Sequence, residues 1–86
     1  MDAGQPGPGQ AERLVLAQRI YGAIRNYEMW LIEQRRAPST EVQQVVRRTF
    51  TEANRILREG DLSGARAKYV LALAMIDRLK RPAIET

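Results

Sequence analysis

Residues 49–73 read TFTEANRILREGDLSGARAKYVLAL. In the first half, Phe50, Ala53, Ile56 and Leu57 recur at helical spacing. Gly60 then stands where a helix end needs a left-handed residue, and Asp61 is a side chain that caps the next helix. The second half opens with small residues and carries Leu62, Ala65, Tyr69, Ala72/Leu73, Ile76 and Leu79 on one face. So short a joint forces the two helices to lie antiparallel, as a tight helical hairpin.

Working upstream, the first of these helices extends over about residues 41–59. Its core stripe is Val42, Val45/Val46, Thr49, Phe50, Ala53, Ile56 and Leu57. Thr40-Glu41-Val42-Gln43 reads as a capping box, with the Thr40 hydroxyl on an early amide and Gln43 reaching back. Downstream, the second covers about residues 62–80. It ends on Arg78, Lys80 and Arg81, where the helix dipole favours cations, and Pro82 stops it.

A further, longer helix is expected over about residues 11–36, with Leu16, Ile20, Ala23/Ile24, Tyr27 and Leu31 facing inward. Pro38 ends it. The fold expected is all-α: an antiparallel up-down-up three-helix bundle with a long first helix. At ~1.5 Å per residue the first helix outruns the other two. The turn at Pro38 is tight, so residues 11–16 should project past the bundle. Residues 1–10 hold two of the four prolines and three of the six glycines and read as a flexible tail, as do residues 82–86.

A chain of 86 residues makes one domain at most. It has no cysteine and no histidine. That removes disulfides, the usual zinc, haem and copper ligands, and the Ser-His and Cys-His nucleophile pairs. No cofactor and no metal is expected, and no catalytic residue is evident, so the expectation is that the protein is not an enzyme. Tyr21, Tyr27 and Tyr69, without a carboxylate pair in a cleft, read as core-edge residues. The first ten residues lack the basic and apolar regions of a signal peptide, and the longest apolar run, residues 70–76, is too short to span a membrane. The expected location is cytoplasmic.

The hairpin resembles a tetratricopeptide repeat. Ala65, Tyr69 and Ala72 stand in that family's small-aromatic-small register, and Ala53 and Ile56 match the small and large positions of its first helix. The resemblance covers residues 49–73. It departs at Glu52, where the family has an aliphatic residue, in the absence of a proline after the second helix at the family's position, and in the absence of a second copy. MIT-type three-helix domains look similar for the same reason. Either resemblance implies peptide or protein binding without catalysis.

Three features are candidates for function. The first is an apolar surplus: Met29, Trp30 and Ile32 at the edge of the first helix's stripe, and Val70, Leu71, Ala74 and Met75 beside the third's inward face. A helix in such a bundle is not covered all round, so this surface is expected to serve a partner helix or a homodimer seam. The second is the projecting Leu14-Val15-Leu16, a docking or self-association handle. The partner-binding set is then Leu14, Val15, Met29, Trp30, Ile32, Val70, Leu71 and Met75. The third is Arg47, Arg48, Arg55 and Arg58, which could contact nucleic-acid phosphates. Glu41, Glu52 and Glu59 interleave with them, the pattern of a solvated face. The hairpin is a poor helix-turn-helix, because Leu62, Ser63, Gly64, Ala65 and Ala67 offer little to read base edges. The function expected is a protein–protein interaction module: an adaptor, assembly subunit or small chaperone. Association with nucleic acid is the alternative. No small-molecule substrate is evident.

Overall fold

A computed structural model describes residues 8–81. Helix α1 spans Pro8–Glu33, α2 Thr40–Arg58 and α3 Leu62–Lys80, and no strand occurs among the described residues. The fold is an all-α three-helix bundle.

The α2–α3 joint forms as its residues demand. Gly60 adopts φ 95°, its N–H donates to the Leu57 carbonyl at 3.0 Å, and the Asp61 N–H donates to the Ile56 carbonyl at 3.2 Å. This pair of bonds satisfies carbonyls that the end of α2 leaves free. Asp61 then caps α3, its carboxylate accepting the Gly64 N–H at 2.9 Å. A β-carbon at Gly64 would meet that carboxylate, so any larger residue there would make the Asp61 side chain shift.

The cap of α2 differs from the expected box. Ser39, not Thr40, is the capping residue: its hydroxyl accepts the Val42 N–H at 3.3 Å. Ser39 has extended backbone angles, directly after Pro38, so the helix starts one residue earlier. The Gln43 amide donates to the Pro38 carbonyl at 2.8 Å. Helix α1 is also displaced. It begins at Pro8, inside the segment expected to be tail, because a proline in the first turn has no amide to lose. It ends at Glu33 rather than Arg36, where the Gln34 side chain donates to the Trp30 carbonyl at 3.1 Å. The rest of the expected N-terminal tail and residues 82–86 lie outside the described residues.

Most helix–helix contact joins α2 to α3, and α1 lies against both. Cross-helix pairs run in opposite senses along α2 and α3. Glu52 meets Lys68 at 3.0 Å, and the Thr49 hydroxyl, which donates to the Val45 carbonyl, lies 3.8 Å from the Met75 sulfur. Ala53, Ala65 and Ala72 are all fully buried, which lets the helices approach closely. Around them pack Leu16, Ile20, Tyr27, Val46, Phe50, Leu57 and Ile76. Burying each large side chain stabilises by roughly 1.5–3 kcal/mol.

Helix α1 is buried at Leu16, Ile20 and Tyr27, while residues 9–15 are all exposed. A helix lying against neighbours buries a residue in every turn. Seven consecutive exposed positions therefore mark a start that passes beyond its neighbours' cover, as expected from the helix lengths. Leu16 corrects that expectation: it belongs to the core and not to the projecting segment.

Candidate interaction surface

The three helices distribute their apolar residues differently. Helix α2 is sharply two-sided, with Val46, Thr49, Phe50, Ala53 and Leu57 buried and arginines outside. Helix α3 is not. Residues 69–76 read YVLALAMI, without a charge. Only Ala72 and Ile76 of these are buried, and Tyr69 and Met75 are half-buried. Val70 is 56% exposed, Leu71 45% and Leu73 38%, with Ala74 exposed beside them. With two neighbours, α3 has no third helix to cover this side. Leu73, expected to face inward, instead lines the edge of a cleft against Gly22, Ala23 and Tyr27 of α1 and stays partly open there.

The expected partner-binding residues therefore separate. Leu14, Val15, Met29, Ile32, Val70 and Leu71 are exposed. Trp30 and Met75 are not freely presented: both are half-buried against the core. Trp30 stacks on Tyr27, with ring centroids 6.2 Å apart, and the Lys80 ammonium lies 5.9 Å from its ring centre. The first contact lies within α1, and the second joins the end of α1 to α3, so Trp30 is part of what holds the bundle. On α1, Leu14, Tyr21, Met29 and Ile32 stand on the outward side, and Ile32 is the most open of them at 78%.

One surface was not legible beforehand. Val42 and Val45, expected in the core, are exposed at 36% and 45%. With Val46, Met75 and Leu79 they line a groove of about 490 Å³ between α2 and α3, edged by Glu41 and Arg78. No residue of α1 lines it. Helix α1 covers one side of the hairpin, and this groove is left on the side that it does not cover. The periodicity of α2 gave Val42 and Val45 the same standing as Val46, because spacing reports a face and not what lies against it.

The basic residues of α2, Arg47, Arg48, Arg55 and Arg58, are all exposed. Arg55 donates to Glu59 at 3.0 Å, so part of that charge is already matched. Glu52 is hydrogen-bonded by Lys68, and that bond and charge hold its carboxyl below the usual carboxylate range. Tyr27 is 1% exposed, and its hydroxyl has no hydrogen-bond partner among the described residues. Burial pushes its pKa above the ordinary tyrosine value, against a smaller opposing effect of the Arg47 charge. Among the described residues no group of three or more acidic side chains is placed to hold a metal ion, and no helix is long and apolar enough to cross a membrane.

Comparison with protein families, with curated proteins and with solved structures finds no match to this chain.

Proposed function

We propose that this protein is a non-catalytic interaction module, an adaptor, assembly subunit or small chaperone, that offers an apolar helix face to a partner protein or to a second copy of itself. The observation that carries the reading is α3: its uncharged centre is covered on one side only, and Val70, Leu71 and Ala74 face solvent on the other. Exposed apolar surface gathered on one element marks interaction sites in soluble proteins.

The test is molar mass by light scattering over a concentration series at two salt levels, for the native chain and for Val70→Ser/Leu71→Ser. A mass that rises with concentration, holds in salt and falls to the monomer in the variant supports self-association. A native monomer that binds an apolar dye more strongly than the variant supports a different partner. A monomer whose dye binding equals the variant's would sink the reading.

A second reading has the outer side of α2 meeting nucleic-acid phosphates, favoured by the exposure of all four arginines. It requires binding that collapses between low and moderate salt, which an apolar interface would not show.

A further inference from the structure

We infer that two copies of this chain meet face to face over the groove between α2 and α3, related by a two-fold axis that runs along these helices. This names the partner of the proposed module and rests on that reading.

The face extends beyond the groove. Val42, Val45, Met75 and Leu79 line the groove, with Glu41 and Arg78 at its edges. Leu71 stands four residues before Met75 and seven before Arg78, so it lies on the same side of α3, and it is exposed. On α2, Val45 lies four residues after Glu41 and seven before Glu52, again on one side. The apolar strip therefore continues past the groove until the Glu52–Lys68 ion pair crosses it at 3.0 Å. Helix α1 supplies no residue to the groove, so a second layer of helices can close over it.

Charge selects the occupant. Both acids of this face belong to α2, and each stands opposite a base of α3: Glu41 faces Arg78 across the groove, and Glu52 meets Lys68. Glu41 and Arg78 make no ion pair among the described residues. A two-fold axis along the helices lays α2 of each copy over α3 of the other at the same level. Glu41 of each copy then comes to Arg78 of the other, Glu52 comes to Lys68, and the valines of α2 rest on Met75 and Leu79. An axis across the helices would instead set Glu41 on Glu52 and Arg78 on Lys68, like on like. Arg48 does not line the groove; it lies one turn before Glu52, whose carboxyl is held down first by Lys68 and to a smaller degree by Arg48 itself. The face is thus complementary to itself, and a second copy carries the match with no further partner. The net charge of +4 on each copy opposes the approach only weakly in physiological salt, where charges are screened within about 8 Å.

The probe is the chain itself. Its dimer dissociation constant is read by sedimentation equilibrium, and circular dichroism checks the fold of every variant. The native chain is expected to dimerise. Glu41→Arg and Arg78→Glu should each weaken the dimer by about tenfold or more, because each alone sets like charges together at two places. An equal mixture of these two variants should associate about as tightly as the native chain, since each supplies the charge that the other lacks. Val45→Glu should weaken the native dimer by about tenfold, by burying an unpaired charge. Val70→Ser, on another side of α3, should leave it unchanged. A native chain that stays monomeric overturns the inference, and so does a mixture no tighter than either variant alone. A dimer lost in Val70→Ser but kept in Val45→Glu also overturns it, and leaves the module reading standing on a different face of α3. A native monomer that binds an apolar dye more strongly than Val70→Ser/Leu71→Ser removes this inference alone. A monomer whose dye binding equals that variant's removes the inference and the module reading together.

Discussion

Helices α2 and α3 are equal in length, 19 residues each, and share the largest interface of the molecule, yet they are built on opposite plans. Helix α2 buries Phe50, Val46 and Leu57 and turns Arg47, Arg48, Arg55 and Arg58 to water. Helix α3 buries chiefly alanine, at Ala65 and Ala72, and leaves Val70, Leu71 and Leu73 outside. From Val46 onward the apolar volume of α2 is largely used inside the domain, while Val42 and Val45 at its start stay exposed. Much of the apolar volume of α3 is not so used. The difference separates residues that hold this fold from residues that remain available to something else.

The contrast can be broken most sharply at Phe50. It is 2% exposed, and Phe50→Ala should cost about 3–5 kcal/mol, read by urea denaturation. A loss well below that range would mean that α2 is not the main source of the core. Smaller, and opposite in sign, is Tyr27→Phe on α1, which removes a buried hydroxyl without a partner and should stabilise by about 1 kcal/mol. The same residue carries a pH dependence. Its folded pKa is raised, so the neutral form is favoured in the fold. Its contribution is complete below the unfolded tyrosine pKa of about 10 and is lost as pH rises through the higher folded value. The native chain should therefore lose more stability in alkali than Tyr27→Phe does; parallel pH profiles would show that the hydroxyl is hydrated after all. The smallest effect belongs to the exposed side of α3. Leu71→Ser should change stability by no more than about 0.5 kcal/mol, in the same urea titration. A larger loss would make Leu71 part of the core and erase the distinction between the two helices.

The fold was legible where a local signal settles a local conformation. Gly60 and Asp61 act as read, and α3 has the expected bounds. The ends of α1 were displaced by about three residues, because a proline in the first turn and a side-chain cap from Gln34 leave weaker marks than a Gly-Asp joint. The candidate surface was legible only in part. Val70 and Leu71 betray themselves by an uncharged run longer than one face needs. Trp30 gives no such sign, since a tryptophan at a stripe's edge has the same spacing whether it stacks on Tyr27 or faces solvent.

What the residues alone decided is the set of three helices, the sharp joint between the second and third, and the surplus of apolar side chains over what one small bundle encloses. Those follow from backbone preference and periodicity, which act within a few residues. Only the packing decided that α1 would draw Trp30 inward and cover one side of the hairpin, leaving Val42 and Val45 beside an open groove on the other. Each face of a helix is written in its own sequence, but whether that face is covered depends on which neighbour reaches it.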